Sequence, residues 1–235
     1  MRAPARLDDE SLRLGDASVD IAIRVNPRAR RISLKVDPTV GGVTLVLPSK
    51  RARRDGLDFA RGHAAWILDQ LAKLSPRVAF EDGARIPYLD RPHRIRHVGG
   101  RGSVWRQEDE IHVAGRPEHT ARRVADWLRR EARGLLTART LAKAEVIGKR
   151  PGRITIRDPR TRWGSCAASA NLSFSWRLVL APEAVLDYVV AHEVAHLEEA
   201  HHGPAFWALV ERLHADVAAA RGWLKKNGSD LHRYG

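Results

Sequence analysis

The 235-residue sequence predicts an α+β fold in which a strand-rich N-terminal module is followed by a compact domain with a histidine-bearing helix packed on a small sheet. Three observations carry that expectation. Between Ser18 and Leu47, apolar residues alternate with polar ones at the period of half-buried strands. From Arg116 to Ile147, apolar residues recur at helical spacing between arginines. From Pro182 to Leu197, a helix would be apolar on nearly every side apart from two histidines and a glutamate, which marks it as buried. The expected boundaries are a tail over 1–17, the strand-rich module over 18–115 and the second domain over 116–235.

In the first module, Val19, Ile21 and Ile23, then Ile32, Leu34 and Val36, then Val43, Leu45 and Leu47 read as three strands of a meander. Asn26-Pro27 and Gly41-Gly42 supply the turns, and Pro48 ends the last strand. A helix is expected from about Arg51 to Leu74, with Leu57, Ala60, Ala64, Ile67, Leu68 and Leu71 at helical spacing and Ser75-Pro76 as its stop. Four short strands follow, near Arg85–Tyr88, Arg94–Val98, Ser103–Arg106 and Glu110–Val113. The long helix that starts at Arg116-Pro117 stops at Gly148. Ile154–Ile156 and Asn171–Leu180 read as strands, the second alternating Leu172, Phe174, Trp176 and Leu178 with Ser173, Ser175 and Arg177. Two helices finish the domain, from about Pro182, a favoured first-turn residue, to Leu197, and from Gly203-Pro204 to about Ala220. No internal repeat or low-complexity segment is visible.

Composition excludes several classes. No apolar run approaches the roughly 18 residues of a membrane-spanning helix, and the charged opening stretch from Met1 to Gly15 is unlike a secretory signal, so a cytoplasmic protein with no membrane partner is expected. The single cysteine, Cys166, rules out an intrachain disulfide. The net charge of +13 is uneven: residues 1–115 contribute +6, residues 116–162 contribute +9 and residues 163–235 contribute −2. A nucleotide or nucleic-acid partner is therefore an expectation attached to segment 116–162.

His192-Glu193-Val194-Ala195-His196 places two imidazoles four residues apart, so both leave one helix face close enough to hold one metal ion, and zinc suits that geometry. Glu193 is placed to act as general base toward a water activated by the metal. An open catalytic zinc site takes three protein ligands. Spacing favours His202 as the third, because the chain after His196 is too short for another helix and Gly203-Pro204 suits a turn back. His201 is a rival, and Glu198 or Glu211 would serve in a thermolysin-like arrangement. The same spacing occurs in metzincins, but Glu199 stands where their glycine would, and the only methionine is Met1, so there is no Met-turn.

Several segments together resemble the YgjP-like zinc metallopeptidase family. They are Thr161-Arg162-Trp163-Gly164-Ser165-Cys166, Asn171 to Leu178, Ala181-Pro182, the histidine motif, His202 and Phe206-Trp207. That family is similar to SprT-like and WLM zincins, and its members are described as metal-dependent hydrolases. The resemblance implies a zincin-like second domain with His192, His196 and His202 as ligands and Glu193 as base. Many relatives carry Asn-His-Ser where this chain has His201-His202-Gly203. It further implies, as alternatives, a nucleoside triphosphate pyrophosphatase on the same site or a DNA-associated protease.

With a peptide or protein as the leading substrate, Arg162, Trp163, Gly164, Ser165 and Cys166 form the candidate edge strand that would pair with it main chain to main chain. Gly164 permits close approach of a backbone. Cys166 reads foremost as a small buried residue, with metal coordination or oxidation sensing as alternatives. Arg162 and Arg177 are candidates to stabilise an oxyanion or bind an anionic group.

Overall fold

A computed structural model of the chain describes residues 5–37 and 41–235. These residues form an α+β structure with three small sheets and six α-helices, divided into two compact units, Met1–Pro76 and Arg77–Gly235. No described helix is long and apolar enough to cross a membrane.

The first unit contains strands β1 (Ala5–Leu14), β2 (Ala17–Val25), β3 (Ser33–Val36) and β4 (Val43–Leu47), then helices α1 (Arg53–Gly62) and α2 (Ala64–Ala72). Val19, Ile21 and Ile23 of β2 and Val43, Leu45 and Leu47 of β4 share a core with Leu12, Leu14, Ala60 and Ile67, as period two dictates. Three expectations need correction. Of the segment read as a tail over 1–17, residues 1–4 lie outside the described residues, and Ala5–Leu14 is a strand paired antiparallel with β2. Leu12 and Leu14 alternate with Ser11 and Arg13, and Gly15, in the left-handed region at φ 63°, turns the chain back. The sheet is also no meander. Its order is β1-β2-β4-β3, with β2 and β4 parallel, because Asn26 N donates to Leu47 O (2.9 Å) and the corner after β2 runs on beside β4 instead of reversing. Finally, the single helix expected over 51–74 breaks at His63 into α1 and α2.

The second unit opens with strands β5 (Arg85–Tyr88), β6 (Arg91–Gly99), β7 (Val104–Gln107) and β8 (Glu110–Ala114) in the order β5-β6-β8-β7. Its connectivity repeats that of the first sheet, with an antiparallel hairpin, a parallel central pair and an antiparallel edge strand. The repeat escapes the sequence because alternating apolar residues, common to all strands, carry no signature of their own. Helix α3 (Thr120–Val146) buries Val124, Trp127, Leu128, Ala132, Leu136, Thr140 and Ala144 along one side, while Leu141 is exposed. That side shares one core with Ile95, Ile111 and Val113 of the second sheet and with Phe174, Leu178 and Val190. Strands 85–114 thus belong with the histidine helix, and the division falls after Pro76 where the sequence suggested 115.

The third sheet is built from β9 (Ile154–Arg157), β10 (Gly164–Cys166) and β11 (Leu172–Ser175), in the order β10-β11-β9. β11 stops before the expected Leu180, because Ser175 Oγ accepts from Arg177 N and Trp176–Leu180 continue as a wholly buried 3-10 turn. Helices α4 (Glu183–Ala195), α5 (Pro204–Leu213) and α6 (Val217–Asn227) complete the unit. The last two replace one expected helix, because Asp216 Oδ1 accepts from Ala219 N and starts α6 afresh.

Arg177 ties these parts together. Its buried guanidinium donates to Asp158 twice (2.7 and 3.1 Å) and to the carbonyls of Leu231 and Tyr234 (3.1 and 2.7 Å), and it lies 4.5 Å over the Trp176 ring. Burial alone would raise the pKa of Asp158, but the hydrogen bonds and charge of Arg177 outweigh it and hold the carboxyl below its ordinary value. A depressed native pKa stabilises the fold above the unfolded value, near 3.9, and that contribution is lost as pH falls through the native value. Asp158→Asn is expected to lower unfolding free energy by about 1–3 kcal/mol at neutral pH, discounted for the half-exposed carboxyl. In urea unfolding the gap to wild type should narrow as pH falls below the ordinary carboxylate value and through the lower native one, and a gap independent of pH would contradict the assignment.

Candidate metal centre

Spacing on α4 brings the first two imidazoles together, with the ring centroids of His192 and His196 5.1 Å apart. The helix ends at Ala195, and the amides of Glu198 and Glu199 close the turn on Ala195 O. Pro204 then opens α5 at its first turn. Between these two fixed points the chain reverses and carries His202 over the pair, its ring 5.0 Å from His192 and 4.8 Å from His196. Each of the three rings offers a nitrogen within 4.8 Å of the others, and Nε2 of His202 faces Nε2 of His192 at 3.1 Å. The rival ligands His201, Glu198 and Glu211 stand outside this group.

The donor set fits a divalent metal ion. Burial, then the neighbouring His196, His202 and Arg221, push the pKa of His192 down to about 4, and burial, His196, Arg221 and His201 lower that of His202. Both rings are thereby kept in the unprotonated form that ligates metal. Nδ1–H of His196 donates to Glu199 O (3.0 Å), which leaves Nε2 with the free lone pair. Three imidazoles are a donor set suited to zinc at an open site.

Glu193, one residue on, packs against β10. It is 7% exposed, and burial raises its pKa to about 7 against the opposing charge of Arg162. Its carboxyl lies against Gly164, where a Cβ would stand 2.5 Å from Glu193 Oε1 and 2.7 Å from Cδ. Glycine is required there by the approach of this side chain. A cavity of about 270 Å³ opens beside it, lined by Arg162, Trp163, Gly164, Tyr188, Val189, His192, Glu193 and Leu224.

Of the residues the sequence proposed for substrate contact, Arg162, Trp163 and Gly164 line this cavity. Ser165, the next residue of the strand, lines a different cleft. Cys166 is half-buried outside the metal group, its thiol pKa raised by burial and by the charge of Glu193. Arg177 does not reach the site, since all its partners are internal.

Other side chains complete the centre. Tyr188, one turn before His192, sets its hydroxyl 3.5 Å from His192 Nδ1, a placement implied by the same four-residue spacing. The Phe206 ring lies 5.0, 4.6 and 4.6 Å from those of His192, His196 and His202. Trp207 stands 6.0 and 5.8 Å from His192 and His202, with Arg221 of α6 4.5 Å over its face. Phe206 belongs to the resembling motif without a role attached, and nothing local in the sequence points to Arg221.

Comparison with curated proteins and with solved structures returns no match. A family model described as YgjP-like, metallopeptidase domain, matches residues 30–227, a span that contains the three histidines, Glu193 and β10. With most of the chain covered, the protein belongs to the YgjP-like metallopeptidase family.

Proposed function

We propose that the protein is a zinc-dependent peptidase of zincin-like design, with His192, His196 and His202 holding the metal and Glu193 moving the proton. The observation that carries this reading is the convergence of three imidazoles beside a buried carboxyl that faces an edge strand. Zinc, when bound, acts as a Lewis acid toward the scissile carbonyl and acidifies water. Glu193 takes the proton from the attacking water and delivers it to the leaving nitrogen, and a carboxyl titrating near neutrality is suited to both transfers. β10 pairs with β11 on one side only, so its other edge can receive the extended main chain of a substrate. Burial, against Arg221 and with Glu193, raises the pKa of Tyr188, which keeps its hydroxyl a donor at the wall of the cavity, where it stabilises the carbonyl oxygen as charge develops.

Metal analysis of purified protein, with a peptide-hydrolysis screen of wild type against Glu193→Gln, tests the reading. The variant should retain zinc and lose about 100-fold to 10,000-fold in rate. Protein without zinc, or a variant with the wild-type rate, would refute it. Adding zinc to metal-stripped protein at about 100 times its Kd should stabilise the fold by about 2.7 kcal/mol, roughly 5–10 °C in Tm for a unit of this size. His202→Ala should abolish most of that rise in a thermal melt. Gly164→Ala drives its methyl into Glu193, and a displacement of about 1 Å is expected to cost on the order of 100-fold in kcat with zinc content unchanged. Full activity in that variant would show that Glu193 does not work against β10.

A further inference from the structure

The third sheet has two unlike faces. Gly164 meets Glu193, and Leu172 and Phe174 enter the core, whereas Ser165, Ser173 and Thr155 stand in register across the three strands on the opposite face. That outer face is a cleft of about 640 Å³ where this hydroxyl row is flanked by Arg153, Arg157 and Arg162. No carboxylate and no aromatic ring lines it, and no ion pair engages any of the three guanidiniums among the described residues. Arg153 and Arg157, four residues apart along extended chain, spread charge over about 13 Å, more than one anionic group covers. Arg162 lines both this cleft and the cavity at Glu193, so the two meet at its side chain.

We propose that the outer cleft is an exosite for an acidic segment of a polypeptide substrate. The substrate's main chain pairs along β10 near Glu193, and its flanking carboxylates turn past Arg162 toward Arg157 and Arg153. This rests on the peptidase reading. Guanidiniums and hydroxyls bind carboxylate and phosphate alike, but the cleft offers no aromatic platform on which bases could stack, and it shares Arg162 with the cavity beside the edge strand.

The test uses the full-length, zinc-loaded protein carrying Glu193→Gln, so that probes survive, and fluorescence anisotropy. The probes are a labelled peptide with a terminal run of glutamates, its glutamine counterpart and a short DNA duplex. The glutamate peptide should bind about tenfold tighter than the glutamine one, the equivalent of one or two good exposed ion pairs. Adding Arg153→Glu and Arg157→Glu, both at exposed positions, should bring that ratio to about one with Tm preserved. With active enzyme the same preference should appear in kcat/KM. If neither peptide is cleaved, the peptidase reading fails while the anisotropy ratio still decides the exosite. Equal affinity for the two peptides overturns the exosite, as does tighter, arginine-dependent binding of the duplex, which would make the cleft a phosphate-backbone site.

Discussion

A helix apolar on nearly every side holds its place only inside a ring of partners, and α4 and its C-cap also carry Glu193 and two imidazoles that water would otherwise solvate. α3, the Trp176–Leu180 turn, β10, α5 and α6 all pack on α4, and a cavity reaches it at His192 and Glu193. One cause then has two opposite effects. Burial lifts Glu193 toward neutrality because it penalises the anion, and it depresses His192 because it penalises the cation. A neutral ring is what a metal needs, and a carboxyl titrating near neutral pH is what a proton shuttle needs. The shifts of both groups follow from the enclosure of the helix as much as from its motif.

The enclosure is held by charged groups away from the reacting face. On α4 itself, Asp187 accepts from His214 Nδ1 (3.0 Å) and Arg139 (3.3 Å) and pairs with Lys143 Nζ (2.9 Å), which joins α3, α4 and the end of α5. Arg177 does the same for the C-terminal turn, where Gly228 lies against Trp163 and the His232 ring is 5.2 Å from the indole. Because Trp163 lines the cavity, the bonds of Arg177 to Leu231 and Tyr234 support a wall of the site without touching it. Arg162 and Arg177 illustrate how much context decides. Both were candidates for the same anion-binding task, yet Arg177 has Asp158 and two carbonyls as internal partners and Arg162 has none of these.

What the sequence revealed was local geometry. Four-residue spacing on a helix brought His192 and His196 together, and the Gly203-Pro204 turn returned His202, because both depend on a few consecutive dihedral angles. Alternation located β2, β3 and β4 but not their order, which depends on contacts such as Asn26 to Leu47. It also misled at Arg177, where the chain leaves β11 two residues earlier and the periodic pattern no longer means exposure. β1 was hidden because only Leu12 and Leu14 are apolar after the acidic run Asp8-Asp9-Glu10. Phe206 and Arg221 arrive from α5 and α6, and their nearness to the histidines exists only in the folded chain. The division after Pro76 is set by a core shared between Ile111 and Val190, residues far apart in sequence.

Charge shows the same limit. Segment 116–162 carries a net +9, a value that treats its arginines as equivalent. On α3, Arg122 and Arg129 pair with Asp126, and Arg139 pairs with Glu183 and Asp187, so part of that charge is neutralised within the helix and against α4. On the third sheet, the pleat sends Arg153 and Arg157 to the face opposite Glu193, where no carboxylate among the described residues pairs with them. The net charge of the segment does not tell these guanidiniums from the paired ones on α3. A three-residue strand, with Gly164 against Glu193 and Ser165 on the opposite face, thus has a buried carboxyl on one side and guanidiniums on the other, and Arg162, two residues before it, lines the space on both sides.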